Sequence, residues 1–353
     1  NFHANPFGPE LQVKQMLDAP FGAKKIGVRM KKIILIIFIG LFLFSCNNVR
    51  NVDITGVIIN SNNFSVDNLT NTFPNLTSIT LKNCKMDNFD IGKLNVYIKE
   101  IIISDGCYGE LFSSTENHMI KKIEIQESNI KSISSAFLEK LPGLEEIVTF
   151  NTCIESIEFP KESAITKVDI FNAQVSDFSS LSNLANLRSL SISQLKFDDV
   201  FDVTSISELL TIENLWLSSN FTISSEHTYP NIKRLGITSI PNYGLNSNII
   251  KFKSLVSLSI NSYYDSSFPL YLSELPHLEI LGLYNTDIST FPNNLRDFKS
   301  LKSLDLVYNK VESFPEDILF PKSFKELNIN NSTFNFDEYK NKHPNISFNI
   351  LGI

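Results

Sequence analysis

The spacing Leu-x-x-Leu-x-Leu-x-x-Asn-x-Val recurs along most of this chain with a period of about 22 to 23 residues, and its clearest copy is Leu301, Leu304, Leu306, Asn309 and Val311. The first position of each unit falls at Ile54, Leu76, Ile98, Ile120, Leu144, Ile165, Leu187, Ile212, Ile232, Leu255, Leu278, Leu301 and Phe324. A unit this small cannot bury its own apolar edge. Its neighbours must cover it, so the units stack into a solenoid.

Within the unit that begins at Leu278, the apolar Leu281 and Leu283 alternate with Ile280, Gly282 and Tyr284, the period-two pattern of a strand with one face in the core. Position nine, where the backbone leaves the strand, carries Asn220 or Asn309 in two clear units and Asn62, Cys84, Ser128, Thr152 and Thr286 in others. A small polar side chain there can bond the backbone groups of the adjoining coil. Further along, Phe268-Pro269, Phe291-Pro292 and Phe314-Pro315 recur, each followed three residues later by Leu272, Leu295 or Ile318. The rings are expected to stack as a spine on the side away from the sheet. Proline has a fixed φ and no N–H, which suits extended or short helical turns there.

This pattern resembles the leucine-rich-repeat family, and the 23-residue bacterial class in particular, over residues 54 to 350. The unit around Ala136-Phe137 and Leu144 also resembles an Ala-Phe subtype found in some bacterial surface adhesins. The resemblance implies an α/β repeat solenoid, a leucine-rich-repeat horseshoe with a parallel concave sheet and a convex side of coil and short helix. The last four units match best. The Leu187 unit is long and the Ile212 unit short, which leaves register least determined there.

Upstream, Met30-Lys31-Lys32 precedes the apolar run Ile33 to Phe44, then Ser45-Cys46 and Asn47-Asn48. A basic start, about twelve apolar residues and a small residue before cysteine read as a signal peptide, since a membrane-spanning helix needs roughly 20 residues. Leu43-Phe44-Ser45-Cys46 resembles the bacterial lipobox, with Phe44 in place of the usual small residue. The resemblance implies cleavage before Cys46, lipidation of Cys46, and a lipid-anchored place in the bacterial cell envelope, at the outer membrane or cell surface. An ordinary secretory signal or an uncleaved anchor are the alternatives. The expected organisation is an upstream segment at 1–29 outside the mature protein, a signal peptide at 30–45, a lipidated tether at 46–53, and a repeat domain at 54–353. The alternating Ile346, Phe348 and Ile350 are expected to form a cap strand.

The whole chain carries a net charge of −7 at pH 7; after Cys46 there are 25 basic and 36 acidic groups, a net −11. Such a chain, without a basic run, is a poor partner for nucleic acid or for anionic lipid headgroups. Cys84, Cys107 and Cys153 sit at positions nine or ten of their units, where they read as small buried residues. Cys84 and Cys107 lie in consecutive coils about 4.8 Å apart, so a disulfide between them is also feasible in an oxidising compartment. His3, His118, His227, His277 and His343 are scattered, and the sequence has no zinc-protease motif, Gly-x-Ser-x-Gly elbow or Gly-rich phosphate loop. No catalytic residue, metal or cofactor is expected, and the protein reads as a non-enzyme.

The expected function is binding of a macromolecule, protein or extended glycan, on the concave face. By the resemblance, the partner is a host-surface or matrix protein; the alternative is a structural or assembly role in the envelope with an endogenous partner. The units from Ile98 to Ile165 present Glu100, Asp105, Glu124, Glu127, Glu146 and Asp169 against Lys122 and Lys167, with Phe150 and Phe171 in adjacent units. Serines dominate the middle, around Trp216, the only tryptophan, and the C-terminal units present Tyr284, Val307 and Tyr308. Exposed aromatics dominate many interfaces. Trp216, Phe150, Phe171, Tyr284 and Tyr308 are therefore the candidate contact residues.

Overall fold

The computed structural model describes residues 36–37, 56–59, 76–94, 96–193, 200–218, 220–238, 247–262, 266–311, 314–329 and 337–350. Cys46, expected to carry the lipid, the segments 1–29 and 46–53, and Asn62 lie outside the described residues. Within the apolar run only Ile36–Ile37 is described, as a two-residue strand beside Gly56–Ile59.

One parallel sheet of 15 strands forms the backbone of the fold, each strand hydrogen-bonded to that of the next unit. Its regularity follows from the repeat: the alternating apolar residues of every unit point to one face and stack on their equivalents. Leu258 pairs with Leu281, Leu281 with Leu304, and Leu304 with Leu327, all almost wholly buried. Leucines buried this fully contribute roughly 1.5 to 3 kcal/mol each relative to exposure. The irregular units keep the same register. Ser189, Asn214 and Arg234 are aligned across three consecutive strands, so the extra residues of the long unit and those missing from the short one fall outside the sheet. Some of that extra length forms a second ladder, Val200–Asp202 against Asn220–Thr222. Ser347–Ile350 adds the last strand, with buried Phe348 beside Leu327.

The chain returns from strand to strand through short elements. They include 3₁₀ turns such as Ser179–Asn183 and Leu270–Glu274, the latter preceded by Pro269, and the α-helical turn Ser135–Leu138. That helical turn holds Ala136-Phe137 and is capped by the Ser134 hydroxyl, which accepts from the Phe137 N–H at 3.3 Å. The phenylalanine spine is present: ring centroids lie 6.3 Å apart for Phe268–Phe291 and 4.5 Å for Phe291–Phe314, and Tyr339 extends the row at 6.2 Å from Phe314.

Position nine behaves as its chemistry requires in the best-formed unit. Asn309 accepts from the Thr286 N–H at 3.2 Å and from the Thr286 hydroxyl, and it donates to the Leu283 carbonyl at 2.6 Å. Earlier units are less complete, since the buried hydroxyls of Ser128 and Thr152 have no hydrogen-bond partner among the described residues. Thr149, at a core strand position between Ile125 and Ile170, is equally unpartnered.

The residue before position nine carries the sharpest backbone constraint. Asn83, Asp105, Glu127, Asn151, Asn172, Ser262, Asn285 and Tyr308 all occupy position eight, and all have φ between 45° and 62°. Asn and Asp tolerate this left-handed conformation because a short polar side chain can bond locally. A tyrosine does not benefit in that way, so Tyr308, at φ 61°, is held there at a cost. Tyr308→Asn is expected to raise stability by about 1 kcal/mol, read as a rise in Tm of roughly 2 to 4 °C. An unchanged or lower Tm would show that the ring contributes packing that outweighs the strain.

Candidate functional site

The solvent face of the sheet is built from positions three, five and seven. In its N-terminal half the expected acidic surface is an ion-pair ladder. Lys122 reaches Glu100 at 2.8 Å on the preceding strand and Glu124 at 2.7 Å on its own, while Lys167 reaches Asp169 at 3.1 Å and Glu146 at 3.6 Å. Lys82 pairs with Asp105 in the same way. Burial pulls the Lys122 ammonium toward its neutral form, but hydrogen bonds to Glu100 and Glu124 outweigh that and hold it above the usual lysine range. Lys167 is raised likewise, with burial opposed by Asp169 and Glu146. These carboxylates face lysines on their own strand or one coil away, which fixes the surface more than it charges it. Phe150 and Phe171 are direct register partners at the end of this ladder, both half-buried.

Trp216 stands where the alternation puts it. Leu215 and Leu217 on either side are buried at 0% and 1% exposure, while Trp216 is 37% exposed. Its register partners are Ser191 and Gly236. The indole lies on Gly236: a Cβ there would sit 1.9 Å from Trp216 Cε3 and 2.1 Å from Cζ3. Only glycine leaves room for the ring to lie against the backbone of the next strand. Sequence reasoning singled out the tryptophan and missed its seat, although a glycine at position five of the following unit was visible.

Tyr284 repeats the arrangement. A Cβ on Gly282 would lie 2.5 Å from Tyr284 Cε2, so this ring folds over a glycine of its own strand. Ser259 pairs with Gly236 on one side and with Gly282 on the other, separating the two aromatic plates by two strand spacings, about 10 Å. The Tyr284 hydroxyl donates to Asp305 at 2.9 Å. Asn328 donates to the other oxygen of Asp305, and Asn349 donates to Asn328 at 2.8 Å and to Glu326 at 2.9 Å. Burial first, then the charge of Asp305, pushes the Tyr284 phenol well up. The tyrosine is thus a fixed part of a polar chain across four strands.

Tyr308 is 43% exposed, beyond the strand end. Val307, expected on the solvent face, is 8% exposed. The strand ends at Leu306, so alternation no longer governs the next residue and the valine packs inward. The structure therefore places Tyr284 three strands from Trp216 on the sheet face, Tyr308 one coil beyond Tyr284, and Phe171 and Phe150 two and three strands from Trp216 on its other side.

Cys84 and Cys107 are both buried and in contact, the Cys84 N–H lying 3.3 Å from Cys107 Sγ. The hydrogen bond with Cys84 and then burial push the Cys107 thiol well above its ordinary range, which lowers its reactivity as a nucleophile. Among the described residues no group of three or more His, Cys, Asp or Glu side chains is arranged to hold a metal ion, and no helix is long and apolar enough to cross a membrane.

No family model matches this chain, and no curated protein matches it. Solved structures do. An internalin from Listeria monocytogenes is similar at 16% identity and a TM-score of 0.48, covering 85% of this chain and 87% of its own. A leucine-rich-repeat protein from Leptospira interrogans is similar at 15% identity and a TM-score of 0.46, covering 84% of this chain and 76% of its own. One strand per unit, in unbroken parallel register with a coil and short-helix return, makes the fold of this chain a leucine-rich-repeat solenoid.

Proposed function

We propose that this chain is a lipid-anchored bacterial envelope protein that binds a macromolecular partner on the concave, solvent face of its sheet. The observation that carries the binding reading is Trp216. A large apolar ring seated flat on Gly236 and open to solvent, among serines and asparagines, is a preorganised contact whose covering by a partner removes apolar area from water. Tyr284 and Tyr308 extend the contact across the C-terminal coils, and Phe150 with Phe171 form a second apolar point. A strip of this length fits a protein surface or an extended glycan better than a metabolite. Affinity capture with the wild-type chain, compared with Trp216→Ala, tests the reading; equal recovery of bound material by both would reject it.

The anchor has its own test. Acylation needs the Cys46 thiol, so Cys46→Ser is expected to abolish lipid labelling and membrane partition while leaving the repeats folded. Continued flotation with membranes would mean that an uncleaved apolar segment holds the chain. Surface display is read separately, by whether protease added to intact cells removes the repeats.

A further inference from the structure

The C-terminal end of the solenoid holds a cavity of about 330 Å³ whose walls carry Arg296, Lys322, Lys325, Lys342 and His343. None of the described residues lining it is acidic, in a chain whose net charge is −7. Lys342 is tied to Glu338 at 3.0 Å, one turn back on the terminal helix Asp337–Lys342. Arg296, Lys322 and Lys325 make no ion pair among the described residues, so their charge is open to the cavity they line.

The cavity is walled by ordered structure. Phe320 stacks on Phe324 with centroids 4.8 Å apart and meets His343 edge-on at 5.1 Å. Backbone bonds brace both sides, from Phe324 N–H to Pro321 at 3.0 Å and from Ile346 N–H to His343 at 3.0 Å. Cations gathered from three successive coils and the terminal helix, around an aromatic floor, suit an anion attached to an apolar or ring-shaped body. Guanidinium offers a fork of donors to a tetrahedral oxyanion, and lysines add compact charge.

We infer that this cavity is a binding site for a phosphate- or sulfate-ester group, with the body of the ligand against Phe320 and Phe324. It lies at the terminal coil, away from Trp216, and does not depend on the reading of the sheet face. The probe is phenyl phosphate, titrated calorimetrically into the purified chain at low ionic strength. Saturable binding is expected, weakened at least tenfold by Lys322→Glu with Lys325→Glu and unchanged by Lys99→Glu, an exposed lysine at the other end of the array. Both altered lysines are exposed, so the fold should survive; if circular dichroism shows otherwise, Arg296→Gln replaces the double variant. Vesicles of phosphatidylglycerol and of phosphatidylcholine identify the source. Retention on the anionic vesicles that the double variant loses assigns the ester to a lipid headgroup, and phenyl phosphate binding without retention assigns it to a soluble ester. Absence of saturable binding to either probe, or equal weakening by Lys99→Glu, overturns the site.

Discussion

Replacing Asn309 with leucine is expected to lower the melting temperature by several degrees with no loss of secondary-structure type. The side chain holds two donors of Thr286 and the carbonyl of Leu283 where the strand ladder between the two coils ends. Leucine matches its size and can bond none of them. Each buried group left without a partner costs about 1 to 3 kcal/mol, and a chain of this size loses roughly 2 to 4 °C per kcal/mol. Asn309→Asp separates the parts, because a carboxylate still accepts from Thr286 but no longer donates to Leu283. An unchanged Tm for the leucine variant would remove position nine from the structural ladder.

Trp216→Ala is expected to leave Tm nearly unchanged and to weaken partner binding by about 2 kcal/mol or more, roughly thirtyfold in affinity, as central aromatic anchors do. The separation of effects follows from placement: Leu215 and Leu217 supply the core, and the ring lies outside it. A second variant tests the seat rather than the ring. Gly236→Val keeps the indole but drives it off the sheet, so its emission should shift further red and affinity should fall with the tryptophan intact. A blue, shielded emission from the wild-type chain would contradict the register itself. Loss of stability with full binding would make Trp216 a packing residue.

The core was legible from the chain because burial repeats: a leucine or isoleucine at most of the same three positions in successive units, with exceptions such as Val168, Thr149 and Phe324, leaves one register that buries them all. That reasoning carried through even the units of uneven length. Counting charges along the chain misled where geometry pairs across coils, since Lys122 and Glu100 are far apart in sequence and 2.8 Å apart in space. The left-handed turn at position eight was written in Asn83, Asp105, Asn151, Asn172 and Asn285, yet attention to position nine hid it. The glycine seats escaped because a residue without a side chain shows its purpose only when its neighbour's ring is placed. The terminal cavity could not be read at all, as it joins residues of three coils with a helix whose packing no periodicity specifies.

Among the described residues the side-chain hydrogen bonds of this array reach no further than the adjacent coil: Asn183 to Phe159, Asn231 to Leu210 and Asn309 to Leu283 are each separated by 21 to 26 residues. Nothing in such a pattern locks one end to the other. A coil lost from an end removes one interface and leaves the rest as they were, so the molecule comes apart as a row of coupled segments does, at its cheapest junction. Ser128, Thr149 and Thr152 put three unpartnered hydroxyls into two consecutive coils. The ion pairs that cross this junction, Lys121–Glu145 and Lys131–Glu155, are exposed and add little, so the row should part here first, releasing the coils of Lys82 and Lys122 while those of Lys167 and Trp216 stay wound.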